Sequence, residues 1–261
     1  IPESVDVLLV SAASDTVDTT TVNNLRNFLN SGKKVFFAQS GVNADIKTQQ
    51  ANPLFSNIFG LLNEFSLDLQ KNMVLDAKCG NVQVQEQRGI FLMNRPVEYP
   101  LFPTIDTFNG SDSLSGVVVE ELEQVLLLFP SEIKIDTSQN EKVKKISTLF
   151  SSSNNSGIME SNLVLSPDPQ QNPFLRMLGQ PGKVLAATSR LNNGGELMLV
   201  SDSRFLSDEG GMSIPVNMIF MMNAVDYLAN DADLISLRSR EITSRPLDIL
   251  QLSDAEENSM S

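Results

Sequence analysis

Two side chains in this sequence could act as nucleophiles, and neither has the partner that such chemistry needs. Ser40 follows an apolar run, which is where nucleophile elbows lie, but Ala38 stands in place of the motif's first glycine. The chain has no histidine to activate a hydroxyl. Cys79 is the one cysteine, so an internal disulfide and multi-cysteine metal sites are excluded. We therefore predict an ordinary loop serine, an inert thiol and no catalysis.

A second polar group follows the apolar run 196–200 and contains Asp202, Ser203, Arg204 and Asp208. Ligands of open α/β sheets bind beyond the carboxyl ends of the strands, so this loop is a candidate binding site together with Ser40. The two acids could hold a cation with carbonyl oxygens, but their spacing matches no EF-hand loop. A helix cap, or a salt bridge from Asp202 to Arg204, is the favoured interpretation. We predict no metal and no cofactor.

The overall charge argues against nucleic acid as a partner. The chain has 19 Lys and Arg against 32 Asp and Glu, a net charge of −13. Phosphate backbones require clustered cations, and none of these basic residues forms a run. An acidic surface favours solubility or a basic protein partner. No segment approaches the ~18 apolar residues of a transmembrane helix. The opening Ile1-Pro2-Glu3 shows no signal peptide and is typical of a processed chain or of a domain from a longer protein.

The elements that position these residues follow from hydrophobic periodicity. Residues 5–10 and 34–38 are predicted strands, and they flank a helix capped by Asp18 or Thr19 and ended by Gly32. This is a βαβ unit with an expected right-handed crossover. The turn 192–195 predicts an antiparallel hairpin. We expect one mixed sheet from the apolar runs 5–10, 34–38, 125–129, 184–188 and 196–200.

Three further segments complete the interpretation. Short alternating stretches and prolines predict an antiparallel ribbon or a proline-rich excursion from the core at about 72–110. Pro215 opens a helix in which Met218, Met221 and Met222 fall at helical spacing. The face that these methionines form is either part of the core or an adaptable binding groove. Residues 1–235 are predicted to be a single α/β domain, and the polar residues 236–261 a linker toward a membrane anchor.

Three stretches together resemble the GldG family, the auxiliary proteins of ABC-type transport systems known from bacterial gliding motility. The opening has IPESVDVLLV followed by LRNFLNSGKKVFFAQSG, and the middle has NRPVEYPLFPTI. The most specific stretch has GELMLVSDSRFLSD, then NMIFMMNAVDYLANDADLISLRSRE. Ser201 departs from the family's usual glycine, and Tyr227 stands where tryptophan is common.

The resemblance implies a flavodoxin-like, class I glutamine-amidotransferase-like three-layer α/β sandwich that lacks the amidotransferase catalytic residues. It also implies an extracytoplasmic (periplasmic) domain of a bacterial inner-membrane protein, with an ABC permease and an ATPase as partners. With the missing histidine, this predicts a non-catalytic binding or scaffolding domain. A partner protein or a cell-envelope ligand would bind near the loops that follow residues 10, 38 and 200.

The alternative is a hydrolase, or a carbohydrate-binding or carbohydrate-acting domain, on the same fold. It would use carboxylates such as Asp202 and Glu98, because paired carboxylates alone can cleave glycosides. Two carboxyl groups roughly 5–10 Å apart across a pocket would favour this alternative, whereas scattered acids would favour a binding domain.

Overall fold

The computed structural model describes residues 1–13, 15–88, 91–108, 116–119, 122–136 and 140–230. The predicted linker 236–261 lies outside the described residues. The strands are β1 (Val7–Val10), β2 (Lys34–Ala38), β3 (Val42–Asp45), β4 (Gln50–Pro53), β5 (Leu67–Leu69), β6 (Met73–Asp76), β7 (Cys79–Arg88), β8 (Phe91–Ile105), β9 (Val125–Leu126), β10 (Ile133–Ile135), β11 (Val143–Ser151), β12 (Ser156–Met159), β13 (Val184–Leu191) and β14 (Glu196–Val200). The α-helices are α1 (Thr19–Asn30), α2 (Ile58–Glu64), α3 (Gly116–Val119) and α4 (Pro215–Leu228).

A five-stranded mixed sheet in the order β1-β2-β14-β13-β11 forms the centre of the molecule. β1, β2 and β14 are parallel, and β13 and β11 continue the sheet in antiparallel fashion. The hairpin predicted at 192–195 joins β13 to β14. Four of the five predicted strands therefore share this sheet. The run 125–129 does not, because the backbone N–H groups of Leu127 and Phe129 donate to the carbonyls of Pro103 and Leu101 in β8.

The predicted flavodoxin-like three-layer sandwich is wrong. The described residues form fourteen strands and four α-helices, so sheet rather than alternating strand and helix dominates. β5–β10, β6–β12 and β3–β4 form separate two-stranded sheets, and β7-β8-β9 forms a three-stranded one. Between β2 and β14 the chain therefore passes through small antiparallel sheets instead of one crossover helix. Apolar runs predict that a segment is buried, but they do not determine which strand it pairs with.

The first βαβ unit forms as predicted. Asp18 caps α1, because its Oδ2 accepts hydrogen bonds from the backbone N–H groups of Thr20 and Thr21 at 2.9 and 3.3 Å. Gly32 follows the helix with φ +88°, a conformation that glycine adopts without strain. The helix packs on the sheet face that carries Val35 and Phe37. α4 covers the opposite face, so the sheet is buried on both sides.

The predicted ribbon is present as the antiparallel pair of β7 and β8. At its base, Tyr99 and Phe102 make edge-to-face contacts with each other at 4.8 Å between ring centroids, and Phe102 and Phe129 do so at 5.0 Å. This aromatic cluster holds the segment around Phe129 against the carboxyl edge of the central sheet.

The buried face of α4 differs from the methionine face that spacing suggested. Met218 and Met222 are exposed, whereas Asn217, Phe220 and Ala224 are buried. Asn217 is buried because its side chain pairs with both backbone groups of Leu126, at 2.9 and 2.7 Å.

In the described part of the chain, no helix is long and apolar enough to cross a membrane.

Candidate functional site

The carboxyl ends of the three parallel strands surround a cavity of about 240 Å³. Ala12 and Ala13 follow β1, Ser40 follows β2, and Ser203 and Arg204 follow β14. The facing wall comes from Leu128, Phe129 and the start of β3. Four of the five candidate residues, Ser40, Asp202, Ser203 and Arg204, are thus brought to one edge of the sheet, where ligands of such sheets bind.

Ser40 and Ser203 tie the loops after β2 and β14 together. The Ser40 N–H donates to Ser203 Oγ at 2.7 Å, and the Ser203 N–H donates to Ser40 Oγ at 2.8 Å. Ser40 Oγ also donates to the Phe129 carbonyl at 3.3 Å. These partners are backbone groups, so among the described residues the hydroxyl faces no base. This arrangement suits positioning of the cavity wall rather than nucleophilic attack.

Gln39 fixes the loop after β1, and sequence reasoning missed it. Its Oε1 accepts from the Ala13 N–H at 2.7 Å, and its Nε2 donates to the Ala13 and Ser40 carbonyls at 3.2 and 2.9 Å. The side chain is fully buried. A polar residue directly after a buried strand is the signal that could have identified it, because a buried amide must find partners.

Asp202 is fully buried under the cavity and does not line it. Its Oδ2 accepts from the Leu128 N–H at 2.8 Å, and its Oδ1 accepts from the Arg204 N–H at 2.7 Å. Burial raises the pKa of this carboxyl to about 7, against the lowering effect of the two backbone N–H groups and of the Arg204 charge. In place of the predicted helix cap or side-chain salt bridge, Asp202 accepts from the Arg204 backbone within its own loop, and its bond from the Leu128 N–H joins the β14 loop to the facing wall.

Arg204 is half-buried and is the charged residue of the cavity lining. Its Nη2 donates to the Ala44 carbonyl at 2.9 Å, and its guanidinium lies over the Phe129 ring at 5.9 Å from the centroid. This places a cation in a cavity whose other walls are mostly small and apolar.

Phe129 is held in a strained conformation beside Arg204. Its φ is +56°, in the left-handed region that bulky residues rarely adopt, and its side chain is buried. Such a residue costs of order 1–3 kcal/mol and persists only where its surroundings fix it. Bonds to Leu101 and Ser40, and the contacts of its ring with Tyr99 and Phe102, do so here.

Asp208 does not join the other candidates. It is exposed and does not line the cavity. The cation site considered for Asp202 and Asp208 is not formed, since both Asp202 oxygens accept from backbone N–H groups. In the described ranges, no group of three or more His, Cys, Asp or Glu side chains could hold a metal ion.

Cys79 and Glu98 lie away from this cavity. Burial, followed by the charge of Glu98, raises the pKa of the Cys79 thiol, against a lowering backbone bond from Tyr99. The neighbouring Lys78 donates to both carboxylate oxygens of Asp106 at 2.8 and 2.7 Å. The cation that could have activated the thiol is therefore paired elsewhere, and Glu98 is exposed on β8.

A larger cavity of about 560 Å³ lies at the same edge of the sheet beside β11, lined partly by Lys78, Asp106 and Ser153. Its charged groups are already paired with each other. The smaller cavity combines a cation that forms no salt bridge within the described ranges with a strained aromatic wall, so it is the better candidate for a binding site.

Two solved structures are similar to this chain. The N-terminal domain of mmIFT52 superposes with a TM-score of 0.52 at 14% identity, over 87% of this chain and 78% of that one. A ThuA-like protein from Parabacteroides merdae gives a TM-score of 0.41 at 10% identity, over 86% of this chain and 71% of that one. No curated protein matches the chain significantly. The chain belongs to the family described as ABC-type uncharacterized transport system, whose model matches residues 1–224.

Proposed function

We propose that this domain is a non-catalytic, extracytoplasmic binding or scaffolding module of an auxiliary component in an ABC-type transport system. Family membership supports the transport context. The finer parts of the proposal are the location outside the cytoplasm, the GldG-like role in gliding motility, and direct contact with the permease and ATPase. One observation carries the binding role, namely a cavity at the carboxyl ends of three parallel strands whose wall is fixed by the reciprocal Ser40–Ser203 bonds.

The side chains at the cavity support binding rather than catalysis. The Ser40 hydroxyl bonds only to backbone groups in the described structure, and the chain has no histidine. Burial moves the Cys79 pKa upward, which disfavours a thiolate. The alternative hydrolase would need two carboxyl groups facing each other across a pocket. Asp202 instead lies beneath the cavity with both oxygens bonded, and Glu98 does not line it. The geometry therefore does not favour the alternative.

An activated ester tests the absence of catalysis. With p-nitrophenyl acetate we expect neither a burst of p-nitrophenol nor a stable acyl adduct by mass spectrometry. Labelling of Ser40 or Cys79 that disappears on substitution by alanine would contradict this part of the proposal and support the hydrolase.

Filling the cavity tests its role in the transport system. Ala12→Trp places an indole at the cavity wall, and Thr20→Trp places the same group on the exposed side of α1 as a control. In the full-length protein reconstituted with the permease and ATPase that this proposal assigns to it, Ala12→Trp should preserve assembly but change the ATPase activity. Equal ATPase activity of both variants and wild type would show that the cavity has no part in transport.

The full-length gene tests the extracytoplasmic location. We expect it to encode a hydrophobic span before or after this domain, because a tethered domain needs an anchor. A gene without any such span would rule out the membrane-anchored arrangement.

A further inference from the structure

Arg204 has donors to spare inside the cavity. A guanidinium carries five N–H donors in a planar fork, and one of them is used by the Ala44 carbonyl. Among the described residues, no carboxylate forms a salt bridge with this guanidinium. Asp202, the nearest acid in sequence, accepts from backbone N–H groups instead. The cation is therefore available to a ligand.

The position of this cation is fixed before any ligand arrives. The Ala44 carbonyl holds one side of the guanidinium, and the Phe129 ring lies beneath it. Phe129 is itself locked, because its backbone adopts φ +56° and its carbonyl accepts from Ser40. A charged group held in this way binds a ligand with a smaller loss of conformational entropy than a free surface arginine does.

The remaining walls indicate a small ligand with a short apolar body. Apolar surface is supplied by Ala12, Val42, Leu54 and Leu128, and the lining also includes the polar side chains of Asn43 and Ser207. A volume of about 240 Å³ lies below the roughly 300–1,000 Å³ of pockets for drug-sized ligands, so the ligand must be small. A single cation balances a single negative charge, and a dianion would meet the repulsion of a chain with a net charge of −13.

We propose that this cavity binds a small organic monocarboxylate, whose carboxylate accepts two parallel hydrogen bonds from the Arg204 guanidinium and whose short carbon chain lies against the apolar wall. Arginine recognises carboxylates in this bidentate way. The inference rests on the proposed binding function and names the chemical class of its ligand.

Matched pairs of probes test the proposal. Acetate, propionate and lactate are titrated against acetamide, propionamide and lactamide, at constant ionic strength, with amide chemical shifts of the ¹⁵N-labelled protein as the readout. We expect at least one acid to saturate shifts at residues 40–44 and 203–207, and its amide to bind about tenfold more weakly or not at all, because the charge-assisted bonds are lost. Arg204→Gln should have the same effect as the amide, and Arg204→Lys should recover part of the affinity.

Arg176→Gln removes an exposed arginine outside the cavity and should leave acid binding unchanged. Failure of every acid to bind, equal binding of acid and amide, or unchanged binding by Arg204→Gln would overturn the proposal. Inorganic phosphate is included, and stronger binding of phosphate than of any acid would also overturn it. If the acids fail but Ala12→Trp still alters the ATPase, the ligand class is wrong while the proposed function stands. If the acids bind but Ala12→Trp has no effect, the proposed function fails instead.

Discussion

The buried carboxyl of Asp202 should make the stability of the domain depend on pH in a direction opposite to that of most acids. Its pKa is about 7 in the folded protein and about 3.9 in an unfolded chain. The folded state therefore holds a proton that the unfolded state releases between these values. The resulting stabilisation is complete below about pH 4, falls as pH rises, and is lost above about pH 7.

The size of the effect follows from the two pKa values. The difference of about three pKa units between the folded and unfolded states corresponds to a stabilisation of about 4 kcal/mol in total, at about 1.36 kcal/mol per unit. The isoelectric point near 4.4 makes the lowest pH values impractical. Between pH 5 and pH 8 the wild-type protein should lose about 2.5 kcal/mol of this stabilisation.

Asp202→Asn removes the titration and replaces one acceptor by an amide N–H. One of the two backbone N–H groups, of Leu128 or Arg204, then lacks a partner, at a cost of about 1–3 kcal/mol at every pH. Urea unfolding followed by circular dichroism from pH 5 to pH 8 should therefore show a gap between wild type and Asp202→Asn that shrinks by about 2.5 kcal/mol as pH rises.

Asp208→Asn, which removes an exposed carboxylate from the same loop, is the matched control for the loss of one negative charge. Parallel pH profiles for wild type and Asp202→Asn would refute the reasoning, because they would mean that Asp202 binds no additional proton on folding.

Four further substitutions test the packing, the helix assignment, a buried hydrogen bond and the cap of α1. Gly41→Ala should destabilise by at least about 3 kcal/mol or prevent folding, because a Cβ would lie 1.8 Å from a backbone carbonyl oxygen. Gly60→Ala in α2 has open space for the added Cβ, so it should raise the free energy of unfolding by about 0.5 kcal/mol and with it the thermal midpoint. A lower thermal midpoint would contradict the helix assignment. Tyr227→Phe should lower the free energy of unfolding in urea by about 1.5–3 kcal/mol, because the Tyr227 hydroxyl donates to the buried Glu196 carboxylate at 2.9 Å, and an unchanged free energy would show that this bond does not stabilise the fold. Asp18→Ala should cost about 1 kcal/mol and speed amide hydrogen exchange in the first turn of α1, and unchanged exchange would refute the cap.

Local patterns in the sequence determined the first and last parts of the fold. The run 34–38, the Asp18 cap and Gly32 predicted the first βαβ unit, and the turn 192–195 predicted the β13–β14 hairpin. These signals work because each depends on neighbours in sequence. The sequence also predicted that Ser40, Ser203 and Arg204 lie close together, because the carboxyl ends of parallel strands lie at the same edge of a sheet.

The tertiary structure decided what depends on distant partners. The run 125–129 is as apolar as a central strand, yet its backbone bonds to the segment after Tyr99 and not to the sheet. The expected three-layer sandwich failed for the same reason, because periodicity reports burial and does not report pairing.

The chemistry of the site divides in the same way. The missing histidine, the single cysteine and the acidic charge were fixed by composition, and they limited the chemistry before any fold was known. The raised pKa of Asp202, the left-handed backbone of Phe129 and the position of the Arg204 guanidinium against the Ala44 carbonyl depend on residues far away in sequence. Burial and hydrogen bonding are properties of the assembled neighbourhood, so they arise only when the chain has folded.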